Sequence, residues 1–155
     1  MNVWYFAIAT AVVSAVNAAA PNKLNYECNE WSESTQSGLQ AQSQYRVRWD
    51  GVRFKADHDG NGFAMDDKIA KAKDISRNND PEVRAYSFIS APTVDFFNEA
   101  VIQRYLFEVW PNSNEIKTPI ERAYPYQIRV TRTTQNQDGF LIYSESYLGN
   151  YCKSR

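Results

Sequence analysis

Cys28 and Cys152 are the chain's 2 cysteines, and they stand near opposite ends of its 155 residues. If they pair, both ends of the folded domain must lie side by side, because a disulfide spans only a few ångströms. Pairing depends on compartment: such bonds persist outside the cytosol and are rare within it. The N-terminus bears on that. From Val3 to Val16 the chain is apolar apart from Thr10 and Ser14, and Asn17-Ala18-Ala19-Ala20-Pro21 follows. An apolar run ending in small residues is the pattern of an export leader, with Val16 and Ala18 as the small side chains before the cut. A cut after Ala20 would place Pro21 just beyond the scissile bond, so the earlier site is favoured. A membrane anchor needs about 20 apolar residues, and this run is shorter. We therefore expect a signal peptide over 1–18, one domain over 19–155, and a Cys28–Cys152 disulfide. Closing a loop of that length contributes about 4–5 kcal/mol in the chain-entropy view.

Charge excludes some partners. The 17 Lys and Arg and 18 Asp and Glu all follow the leader, so the net charge of −1 belongs to the mature chain. Such a chain has no overall field drawing it to nucleic acid or to anionic membrane. It also keeps all but one each of the 4 Trp, 10 Tyr and 8 Phe. Aromatic residues together with Thr, Val and Ile favour strands.

The clearest local signal is Tyr45-Arg-Val-Arg-Trp49, Asp50-Gly51, Val52-Arg-Phe-Lys-Ala56. Asp-Gly between two alternating runs predicts a hairpin. A two-residue turn sets Trp49 against Val52 and Val47 against Phe54, with Tyr45, Val47, Trp49, Val52, Phe54 and Ala56 on one buried face. Leu24 to Trp31 reads as a first strand, and the Ser- and Gln-rich stretch from Ser32 to Ser43 as an exposed loop. Asp66 to Ile75 reads as a short helix with an Asp cap and Ile69, Ala70 and Ala72 toward the core. Glu82 to Ser90 and Val101 to Trp110 read as strands, Pro92 to Ala100 as a helical turn, and Pro111 to Pro119 as a loop. Tyr126 to Thr134 and Phe140 to Leu148 form a second hairpin. This order predicts an α+β domain with one short helix packed on an antiparallel sheet; an all-β barrel or sandwich is the alternative.

Three groups of residues invite a functional reading. Asp57, Asp59, Asn61 and Gly62 match positions 1, 3, 5 and 6 of an EF-hand calcium loop, with the Phe63 carbonyl at position 7. Position 12, normally Glu, is Lys68, and the same residues suit any tight turn. Arg46, Arg48, Arg53 and Lys55 share the outer face of the first hairpin, where like charges need an anion, acidic neighbours or solvent to compensate; Arg129 can join them. Trp31, Trp49, Trp110, Tyr124 and Tyr126 are candidates for stacking on a ligand, although core packing explains most aromatics in β proteins. His58 is the only histidine and has no nucleophile motif beside it.

A leader, Tyr26-x-Cys28 close behind the cut, a mature chain of this size and a second cysteine near the C-terminus together resemble the small secreted effectors of powdery mildew fungi. The resemblance implies a ribonuclease-like fold, delivery into a plant cell, host plant proteins as partners, and detection by immune receptors. Small fungal ribonucleases use a carboxylate base, a histidine acid and a phosphate-binding Arg, a set that one histidine in an acidic loop does not supply. The expectation is a non-catalytic binding module with no cofactor, with RNA as a weaker partner. Rival readings are a secreted nuclease or metal-dependent hydrolase, and a periplasmic inhibitor or binding barrel.

Overall fold

Strict alternation decides the architecture. Tyr45, Val47 and Trp49 are buried while Arg46 and Arg48 are exposed, and the same period recurs around the chain. In the computed structural model, which describes residues 21–29, 31–35, 38–42, 45–58, 65–77, 82–95, 97–112 and 117–155, the elements are almost all strands. They are β1 (Leu24–Cys28), β2 (Trp31–Thr35), β3 (Gly38–Gln42), β4 (Tyr45–Trp49), β5 (Arg53–His58), β6 (Met65–Asp74), β7 (Arg84–Ser90), β8 (Thr93–Val94), β9 (Ala100–Pro111), α1 (Pro119–Ala123), β10 (Tyr126–Asn136) and β11 (Leu141–Ser154). The expected leader over 1–18 lies outside the described residues.

Every pairing is antiparallel. From β1 the order runs through β4, β5, β6, β7, β9, β10 and β11, and β11 then pairs β1 again. These strands close on themselves as a barrel, the arrangement that removes sheet edges. β2 and β3 extend two of them. Cys28 faces Cys152 and Trp31 faces Gly149, so β1 and β2 keep one register along β11. Cys28 faces Tyr45 and Trp31 faces Gln42, so β3 and β4 keep one register against them. β8 adds a short pairing at the start of β9.

The ring is filled. Ring centroids of Trp49 and Phe88, from strands that are not neighbours, lie 5.0 Å apart. Phe54 stands 4.9 Å from Phe88 and 4.8 Å from Tyr105. Tyr45 of β4 stacks on Tyr147 of β11 at 6.1 Å. Such cross-barrel aromatic contacts bury large apolar areas and add about 0.5–1.5 kcal/mol each beyond burial. The disulfide joins directly opposed residues of β1 and β11, both fully buried, and bridges a separation of 124 residues. It therefore clamps the seam at which the ring closes.

These observations overturn the α+β, ribonuclease-like expectation. No helix packs on a sheet in the described residues. The helix expected over Asp66 to Ile75 is the strand β6. Its misleading spacing has a cause: the pairing with β7 shifts between Ile69 and Lys71, and this bulge lets Ile69 and Ala72, three residues apart, both pack against the core. A bulge thereby imitates helical periodicity. The stretch expected as a loop from Ser32 to Ser43 supplies most of β2 and all of β3. Its polar residues carry no apolar alternation, so only the neighbouring edge of β11 reveals the strand. The helical turn expected between Pro92 and Ala100 holds β8 instead.

The one helix among the described residues, α1, starts at Pro119, the last residue of the expected loop, and runs on to Ala123, where no element was expected. Its signal is plain in Thr118-Pro119-Ile120-Glu121, a capping box with Pro in the first turn. Glu121 donates its backbone N–H to Thr118 Oγ1 at 3.4 Å, and the Thr118 N–H reaches Glu121 Oε2 at 2.7 Å.

The first hairpin forms as expected, but with a longer turn. Trp49 faces Phe54 and Val47 faces Ala56. Asp50 causes the shift: its Oδ1 accepts the N–H groups of Val52 and Arg53 at 2.8 and 2.7 Å, and Gly51 takes φ 103°. A two-residue slip preserves side-chain parity, so five of the expected core residues are buried. Val52 alone moves into the turn, 54% exposed.

Candidate ligand pocket

The barrel interior opens beside the disulfide. A pocket of about 300 Å³ is lined there by Tyr26, Glu82, Arg84, Val109, Pro111 and Tyr126. Adjacent strands supply one wall: Arg84 of β7 faces Val109 of β9, and Pro111 of β9 faces Tyr126 of β10. Tyr26 comes from β1, two residues before the disulfide. Its ring meets Tyr126 edge-on at 6.1 Å and leans on Phe107 at 5.5 Å. Tyr86 stacks behind Phe107 at 6.1 Å. The result is an aromatic wall with a guanidinium at the opening.

Electrostatics keep that wall neutral. Burial, then the neighbouring Tyr86 and Tyr126, push the Tyr26 phenol up to about 12, while Arg84 pulls the other way. Burial and Asp74 raise Tyr86 as well, again opposed by Arg84. Both phenols thus remain protonated at physiological pH and can donate hydrogen bonds. Arg84 is exposed, and among the described residues no carboxylate lies within ion-pair distance of it. The pocket offers flat apolar surface, phenolic O–H groups, the Arg84 cation and the Glu82 carboxylate, but no nucleophile with an adjacent base.

No family model, curated protein or solved structure matches this chain. None of these comparisons bears on the expected resemblance to mildew effectors, and the ribonuclease-like fold it implied is not the fold found.

The residues singled out by sequence fall in different places. Tyr126 enters the pocket, as does Tyr26. Trp49 is in the core, donating its indole N–H to the Pro21 carbonyl at 3.3 Å. Trp110 donates to Gln127 at 2.8 Å and lies under the Arg129 guanidinium. Tyr124 carries the Lys153 ammonium 4.7 Å from its ring centre. The side chain of Trp31 is outside the described residues.

Part of the basic outer face is compensated from within the chain. Arg53 and Lys55 clasp Asp66 at 2.5 and 3.1 Å, and their hydrogen bonds hold the Asp66 carboxyl below its usual range. Arg46 sits in register between Glu27 and Asp57, while Arg48 lies between Asn25 and Lys55. Arg129 pairs with Glu108 at 2.6 Å. Of the calcium-loop residues, Asp57 is the last but one of β5, and Asp59, Asn61, Gly62 and Phe63 lie outside the described residues. Asp66 and Asp67 turn opposite ways, Asp67 accepting the Tyr105 hydroxyl inside the ring. Among the described residues no three His, Cys, Asp or Glu side chains gather as a metal site.

Sequence reasoning missed Arg84 and Glu82. A signal existed: Arg84 is in phase with Tyr86 and Phe88, so a strand over these residues puts a cation at the inward end of an apolar row.

Proposed function

We propose that this chain is an exported, non-catalytic binding barrel that takes a small ligand with an aromatic or apolar body and an anionic group. The observation that carries the reading is the pocket: a closed ring of strands opens at one end onto Tyr26 and Tyr126, with Arg84, which no carboxylate among the described residues pairs, at the rim. Barrel mouths are recurrent ligand sites, and a volume near 300 Å³ falls at the small end of the range for such pockets. The aromatic rings hold the ligand body by stacking, and Arg84 takes the anionic group through charge-assisted hydrogen bonds. The leader and the disulfide support work outside the reducing cytosol.

Titration with 1-anilinonaphthalene-8-sulfonate, an aromatic anion, tests this. The oxidised protein should bind it at one saturable site. Arg84→Ala, an exposed substitution that leaves the core intact, should weaken binding roughly tenfold. Tyr126→Ala should weaken it further, and Arg48→Ala on the outer face should change nothing. Equal affinity in all variants would place the probe elsewhere and remove the reading.

A further inference from the structure

The opposite end of the barrel presents an uncharged, apolar strand start. Phe140, Leu141 and Ile142 are consecutive and 71%, 61% and 47% exposed. Nothing from Gly139 to Ser144 carries a charge. The hairpin tip before them is held firmly. Gly139 donates to the Asn136 carbonyl at 3.0 Å, Asn136 donates to the Phe140 carbonyl at 3.0 Å, and the Phe140 N–H reaches Asn136 Oδ1 at 2.8 Å. β10 covers one side of this segment, with Leu141 facing Gln135. On the other side, β2 pairs β11 only from Ser146 onward, and β2 ends at Thr35. Leu141 and Ile142 lie beyond that point, where no strand among the described residues flanks them. Ring closure pairs most strands on both sides; here, among the described residues, a short apolar edge remains.

We infer that this edge is an interface between two copies of the chain, with β11 pairing antiparallel to β11 of a second copy about a two-fold axis. Two features favour a second copy. A strand edge offers backbone N–H and C=O groups, which another strand satisfies and a lipid tail does not. The segment is also self-complementary. A two-fold axis perpendicular to the sheet pairs each residue with one of the same parity. Centred on Ile142, it sets Ile142 against Ile142, Leu141 against Tyr143 and Phe140 against Ser144. From Ser146 onward the edge is taken by β2, so the shared segment is Phe140 to Ser144, which is uncharged, and no like charges oppose one another within it. This surface is at the far end from the ligand pocket and stands independently of it.

The register gives a direct test. Both native cysteines are committed to the disulfide, so an added thiol reports only its own contacts. Under mild oxidation, Ile142→Cys should form a covalent dimer, because the axis brings that position against itself. Phe97→Cys, 79% exposed on a loop of the same rim, should crosslink several-fold less. By sedimentation, the unmodified protein should associate as its concentration rises, and Ile142→Lys should sediment as a monomer with unchanged circular dichroism. Crosslinking no greater at 142 than at 97 would overturn the inference. So would a wild type that remains monomeric at every concentration but floats with phosphatidylcholine vesicles, an outcome assigning the apolar rim to lipid.

Discussion

Glu145 lies inside the ring with its side chain 1% exposed, paired with Arg132 and accepting the Tyr143 hydroxyl at 2.8 Å. Burial pulls the Arg132 guanidinium down, but Glu145 and the surrounding Tyr147, Tyr105 and Tyr143 outweigh it and hold the charge in place. A buried pair of this kind contributes little net stability, while removing one partner strands the other charge. Glu145→Ala should therefore cost about 3–5 kcal/mol in urea denaturation. The double variant Arg132→Met with Glu145→Leu should recover most of that loss. An additive double variant would mean that the two side chains do not act as a pair. Little of this was legible beforehand. Arg132 and Glu145 sit amid polar runs of Thr, Gln and Ser, and only their opposed register across β10 and β11 reveals that both turn inward.

At the scale of elements, local chemistry and neighbours divide the work. The capping box of α1 is local, and Thr118→Ala should cost about 1 kcal/mol, read as a small drop in the urea midpoint with an unchanged slope. The Asp50-Gly51 turn is local too, and its parity correctly separated core from surface on β4 and β5. β6 is the opposite case. Ile69 and Ala72 match a helix in sequence, yet the strands on either side demand an extended chain, and a bulge reconciles the two. β2 and β3 have still less of their own pattern. Their sequence, rich in Ser and Gln, joins the sheet because β11 extends a hydrogen-bonding edge past the end of β1.

At the scale of the whole molecule, the disulfide governs the seam between the first and last strands of the ring. Replacing Cys28 and Cys152 with Ser should lower stability by about 4–5 kcal/mol, given the length of the closed loop. It should also weaken the sulfonate probe, because Tyr26 is held two residues from the bridge; denaturation and titration of the same variant check both effects. The sequence by itself determined this pairing partner, the preponderance of strands, both hairpins and the buried aromatics of the first hairpin, Tyr45, Trp49 and Phe54. Those features rest on cysteine count, turn chemistry and alternation, all of which act over a few residues or through a single possible bond. Ring closure, the strand identity of β6, the pocket between Tyr26, Arg84 and Tyr126, and the uncovered start of β11 were decided only by tertiary structure. Each depends on which strand edges lie side by side across more than 100 residues of chain, and an edge has no signature until its neighbour is in place.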